Sequence, residues 1–158
     1  MSQSKYLPVV LALSIAGAVF IQKFEGTVLT SYMDVGNVPT ICTGSTKNVF
    51  VGQKATLQEC EERLKEDTSY AGEAIKKYTY VRLSQDQYDA LVSFVFNVGP
   101  NAYRKSTLLK KLNAGECHAA AKEFLRWDKV KGKRVRGLST RRAAEKALFE
   151  KDCDDTVH

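Results

Sequence analysis

The 158-residue sequence predicts one α+β domain: a small strand-bearing N-terminal lobe, a long connecting helix and a helical C-terminal lobe, with a cleft between the lobes. Three observations carry that reading. Residues 27–51 scatter Val28, Tyr32, Val35, Val38, Ile41, Val49 and Phe50 among Gly36, Asn37, Pro39, Gly44 and Asn48, which is the pattern of short strands and turns. From Thr56 onward the apolar spacing turns helical and stays so. The length suits one domain with a real core, and 27% charged with 44% hydrophobic residues excludes disorder, collagen-like repeats and coiled coil.

The elements follow in order. Leu7 to Ile21 holds no charge and is hydrophobic on every face, with Lys5 before it and Gln22 and Lys23 after it, which is an export or membrane signal. As a helix it would span only about 22 Å of a hydrocarbon core of about 30 Å, and Pro8, Ser14 and Gly17 weaken its insertion. Such a segment enters a membrane and also leaves it. A cleaved signal peptide, cut near Ala16-Gly17-Ala18, and an ordinary buried helix are the competing readings.

Thr56 with Glu59 forms a capping box that opens a helix through about Tyr78, and Ser84 with Gln87 opens a second toward Val98. Asn97-Val98-Gly99-Pro100 stops it. Ser106 or Thr107 starts another that ends at Gly115, and segments near 117–127 and 140–152 complete a helical bundle.

A formal net charge of +6 favours an anionic partner. The cluster Lys129, Lys131, Lys133, Arg134, Arg136, Arg141 and Arg142 has few interleaved aromatics and no nucleic-acid motif, so it reads as a solvated loop or a wall-facing rim, and no nucleic acid is expected. Cys42, Cys60, Cys117 and Cys153 are widely spaced beside only two histidines, so no metal and no cofactor is expected. An even cysteine count behind an export-type N-terminus suggests disulfides made in an oxidising compartment, with three pairings open.

The chemistry lies between Glu25 and Thr40. A carboxylate leaves the end of a helix at Glu25, Gly26 permits a turn, and Asp34 follows nine residues later. Glycosidic cleavage needs such a pair, because the leaving oxygen must receive a proton while a second group acts on the opposite face of the sugar. Phe24, Val28 and Leu29 would desolvate Glu25 and favour its acid form, while Asp34 sits among polar turn residues. Thr40 would place a hydroxyl beside the attacking water. Taken singly, each has a plain structural role as turn-former or helix-end charge.

Jointly, Glu25-Gly26, Tyr32-x-Asp34 and Thr40-Ile41-x-Thr43-Gly44 resemble the catalytic stretch of the phage-type lysozymes, glycoside hydrolase family 24. The resemblance continues through Ser93-Phe94-Val95-Phe96-Asn97-Val98-Gly99, Ser106-Thr107-Leu108-Leu109 and Gly137-Leu138 … Arg141-Arg142 … Glu145. It implies a two-lobed lysozyme that cleaves the N-acetylmuramic acid to N-acetylglucosamine bond, with Glu25 as acid, Asp34 as base or nucleophile and Thr40 positioning water. It further implies substrate contacts at Tyr32, Asn97, Gly99 and Arg141, and a monomer acting on peptidoglycan. A departure stands after the threonine, where Cys42-Thr43-Gly44-Ser45 replaces the aromatic or histidine common in the family.

Cys42 and Cys60 match a pair seen in exported members, which leaves Cys117 to pair with Cys153. The N-terminus looks like that of the signal-anchor-release endolysins. That implies residues 1–24 as a releasable anchor, held in the inner membrane through residues 6–22, and 25–158 as the catalytic domain. The chain would then be exported, tethered facing the periplasm, and freed into the periplasm. A lytic transglycosylase, which needs no second carboxylate, and a non-catalytic membrane-tethered wall-binding protein are the rivals; Asp34 at the family spacing argues against both.

Overall fold

The computed structural model describes residues 11–154, so residues 1–10 of the expected anchor lie outside the described residues. Two compact units emerge, one made of Ile15–Ser69, the other of the segment ending at Ser14 together with everything from Tyr70 onward. The α+β class holds, with helices dominating and two small antiparallel sheets.

In the first unit, helix α1 (Ile15–Glu25) buries Gly17, Ala18 and Ile21 and packs against α2 (Leu57–Asp67). Strands β1 (Val28–Met33) and β2 (Pro39–Cys42) form an antiparallel hairpin that pairs Tyr32 with Thr40 and Met33 with Pro39. The other edge of β1 is held by Ser31 N–H donating to Gln53 O at 2.8 Å and Ala55 N–H donating to Leu29 O at 2.9 Å. Ile41, Cys42 and Cys60 form a small core with Val49 and Ala55 against it. The Cys42–Cys60 disulfide staples β2 to α2, as the family pair implied. Thr56 and Glu59 make the expected reciprocal capping box at the start of α2.

The single helix expected through Tyr78 is instead two, α2 and α3 (Ser69–Tyr78). The break falls at Thr68, whose backbone leaves helical geometry at ψ of 0°. Its buried hydroxyl donates back to the carbonyls of Leu64, at 2.7 Å, and Lys65, at 3.2 Å, local bonds that favour a bend there.

The second unit is built around α4 (Gln85–Val98), capped by Ser84 and Gln87 as expected and buried from Gln87 to Val95. Around it stand α5 (Pro100–Lys105), α6 (Thr107–Asn113), α7 (Cys117–Glu123) and α8 (Arg136–Glu150), with a 3-10 turn at Phe124–Arg126. Ser106 caps α6 by accepting from Leu109 N–H at 3.0 Å. Phe94, Phe124, Trp127 and Phe149 stack edge-on or tilted, with centroids 5.2 to 5.5 Å apart. Cys117–Cys153 ties α7 to the chain beyond α8.

Helix α8 starts at Arg136, earlier than expected, because the basic cluster is ordered where a loop was expected. Strands β3 (Lys129–Val130) and β4 (Lys133–Arg134) form a tight hairpin whose turn, Lys131-Gly132, has positive φ at both positions.

Candidate active site

Glu25 is the last residue of α1, exposed at its C-terminal end, and Gly26 with φ of 80° ends the helix by donating its N–H to Gln22 O at 2.8 Å. The left-handed backbone at that point suits glycine, which explains the Glu-Gly pair. Val28 and Leu29 are 42% and 40% exposed, so the apolar shielding expected from them is not there.

Asp34 follows β1 directly and closes the hairpin. Its backbone N–H donates to Val38 O at 3.1 Å, and its Oδ1 accepts the N–H groups of Gly36 and Val38, each at 2.8 Å. The side chain therefore makes an Asx-type turn that fixes its orientation. Among the described residues no donor reaches the second oxygen, which stays open for chemistry. Thr40 stands opposite Tyr32 on β2, is buried, and donates its hydroxyl to Val38 O at 3.0 Å. Both the aspartate and the threonine are thus organised around the backbone of Val38. Glu25, Asp34 and Thr40 all belong to the same unit, within one span of 16 residues.

Just past Thr40, the departing Cys42-Thr43-Gly44-Ser45 forms a turn closed by reciprocal backbone bonds between Ile41 and Ser45, both 2.9 Å. Arg63 on α2 secures it by donating to Ser45 Oγ at 3.3 Å and to Lys47 O at 2.7 Å. Nothing in the residue pattern marked Arg63. Its role depends on a loop that folds back on α2.

Of the expected substrate contacts, Tyr32 is 45% exposed on β1. Asn97 is exposed near the end of α4, and Gly99, at φ of 95°, turns the chain from α4 into α5. Arg141 is buried. Its Nε donates to Glu145 Oε1 at 3.0 Å and its Nη2 to Ser93 O at 3.0 Å. Beside it Arg142, fully buried, makes a two-pronged pair with Glu145 at 2.8 and 2.7 Å, donates to Trp127 O at 3.0 Å and reaches Asn97 Oδ1, while its guanidinium lies 5.1 Å from the Phe94 ring centroid. The Asn97 amide is thereby aimed from within.

A second buried network escaped the sequence reading. Asp89, 1% exposed on α4, accepts the N–H of Ser14 at 3.1 Å, the Ser14 hydroxyl, and Gln85 Nε2 at 2.9 Å; Gln85 also donates to Ala12 O. Burial pushes the Asp89 carboxyl above the usual carboxylate range, and the Ser14 bonds pull it back. A lone aspartate in the apolar run of α4 was the available signal.

A helix-end glutamate, a turn-locked aspartate and a paired threonine are groups that glycosidic cleavage can use. The phage lysozyme family model matches residues 22–145. This chain belongs to the phage lysozyme family. It is 43% identical over 138 residues to an endolysin of Acyrthosiphon pisum secondary endosymbiont phage 1, covering 85% of this chain and 94% of that one. A signal-anchor-release (SAR) endolysin of Enterobacteria phage PA-2 is 36% identical over 78% of this chain and 76% of its own length. A solved structure of a P22 lysozyme variant superposes with a TM-score of 0.84 at 38% identity, covering 89% and 99% of the two chains. As a phage lysozyme the chain is a glycoside hydrolase of bacterial peptidoglycan, acting in host lysis.

Proposed function

We propose that Glu25 and Asp34 cleave the bond between N-acetylmuramic acid and N-acetylglucosamine, with Thr40 holding the water. The observation that carries this assignment is the division of labour at Asp34, where one oxygen is committed to backbone amides and the other is open. A carboxylate fixed in that way keeps its direction while it takes a proton from water or meets the sugar carbon. Glu25, presented at a helix end, gives its proton to the leaving oxygen. Tyr32 offers an exposed polar group to the glycan; in the other unit, Gly99 and Arg141 hold the turn and helix from which Asn97 projects.

The chain does this work after export. It is first tethered in the inner membrane through residues 6–22 and then released into the periplasm as a monomer. Relatives named as SAR endolysins support this reading. Residues buried in α1, namely Gly17, Ala18 and Ile21, belong to the apolar stretch, and so do Leu11 and Leu13 before α1, each only 8% exposed. The same side chains cannot face lipid and pack in the protein at once. Among the described residues no helix is long and apolar enough to cross a membrane.

Glu25→Gln tests the assignment. The amide keeps the size and cannot donate the proton, so turnover on purified sacculi should fall at least roughly a hundredfold with folding intact. Near-normal turnover would remove Glu25 from its role.

A further inference from the structure

The geometry points to the β3–β4 hairpin as a docking surface for an anionic phospholipid bilayer. Its eight residues, Lys129 to Arg136, contain five cations and no acid. Arg134 is spent internally, because its Nε donates to Asp128 at 3.0 Å, and the same buried carboxylate accepts the Ser139 hydroxyl at 2.9 Å. Asp128 O also receives Val135 N–H at 2.8 Å. These bonds fasten the hairpin to the first turn of α8 and present Lys129, Lys131, Lys133 and Arg136 to solvent, all exposed and, among the described residues, without a carboxylate partner. Between them Val130 and Val135 are 52% and 39% exposed.

The form of the patch selects the partner. A small anion or a single peptide carboxylate is bound in a concavity with converging donors, whereas a projecting two-stranded hairpin with a two-residue turn spreads its charges outward. Cations alternating with exposed apolar side chains match a plane of phosphates over acyl chains, where the valines gain by entering the boundary. Each cation near such a surface contributes roughly a fivefold gain in partition. The hairpin is fastened before it meets the surface, so little ordering cost opposes binding.

The test is sedimentation of the full-length protein with vesicles of phosphatidylcholine alone and with vesicles rich in phosphatidylglycerol. The apolar N-terminal segment does not require an anionic headgroup, so the excess binding to phosphatidylglycerol reads the hairpin. That excess should fall as salt rises, and in the triple variant Lys129→Gln, Lys133→Gln, Arg136→Gln it should drop on the order of a hundredfold. The charge-conserving variant Lys129→Arg, Lys133→Arg, Arg136→Lys should retain it. Equal binding to both vesicle types, or undiminished excess in the neutralised variant, or loss in the charge-conserving variant overturns the proposal. So does a neutralised variant that keeps vesicle binding while losing affinity for isolated sacculi, since the patch would then serve the wall.

Discussion

At Asp34 the amides of Gly36 and Val38 occupy one carboxylate oxygen and leave the other open, so different atoms carry structure and chemistry. Asp34→Asn should therefore keep the hairpin, because an amide oxygen still accepts both bonds, while turnover on sacculi falls at least roughly a hundredfold at an unchanged urea midpoint. Comparable losses of stability and activity would make Asp34 a turn-former only. His118 gives a pH prediction. Its ring is raised above the ordinary 6.5, first by its hydrogen bond to Asp154 and further by Glu150 at 3.6 Å. A raised folded value means that this tie is fully made below the unfolded pKa and is lost as pH rises through the folded one. A proton NMR titration should place the His118 midpoint above 6.5, and Asp154→Asn should lower it; a midpoint at or below 6.5 would deny the pair. The candidate trio Glu25, Asp34 and Thr40 could be proposed from sequence because its spacing is local, and the structure places all three in one unit. Asp89 and Arg63 could not, since their partners Ser14 and Lys47 lie far off in sequence and meet them only in the fold.

Elements whose ends carry side-chain chemistry were the ones readable in advance: both capping boxes, the Gly26 stop and the Ser106 cap stand where expected. The break at Thr68, which has no Pro or Gly beside it, was not readable. The hairpin turn at Lys131-Gly132 carried a glycine, but Lys131 is not a residue that announces positive φ, and a loop was expected there. The disulfides act at this scale. The Cys42–Cys60 bridge closes a separation of 18 residues and Cys117–Cys153 one of 36, so replacing each pair by alanine should cost about 3 and about 4 kcal/mol respectively in urea unfolding. Losses well under 1 kcal/mol would show that neither staple constrains the unfolded chain. The docked segment before α1 makes a further prediction. Ser14→Ala removes a hydroxyl donor from a buried carboxylate and should cost about 1.5–3 kcal/mol, read by urea unfolding; an unchanged midpoint would mean that Asp89 does not hold this segment.

Across the molecule, the chain enters α1 from a segment that packs with the later helices, and returns to those helices after Ser69, so one unit joins stretches distant in sequence while the other is the continuous segment Ile15–Ser69. The fold class was nonetheless legible, because the change from turn-rich text to helical periodicity falls near Thr56, and α2 begins at Leu57. Buried charge was harder to foresee. Glu145 faces both Arg141 and Arg142 in the interior, and Glu145→Gln should destabilise by about 3–5 kcal/mol by removing a buried charge that both guanidinium groups face. In the proposed reaction a pair of carboxylates brings water to the sugar carbon. Purified peptidoglycan digested in water labelled with heavy oxygen, with mass spectrometry of the released glycans, distinguishes this from intramolecular attack. Hydrolysis gives muramic acid reducing ends that each carry one labelled oxygen, whereas unlabelled anhydro ends would contradict it and assign the chemistry to a transglycosylase.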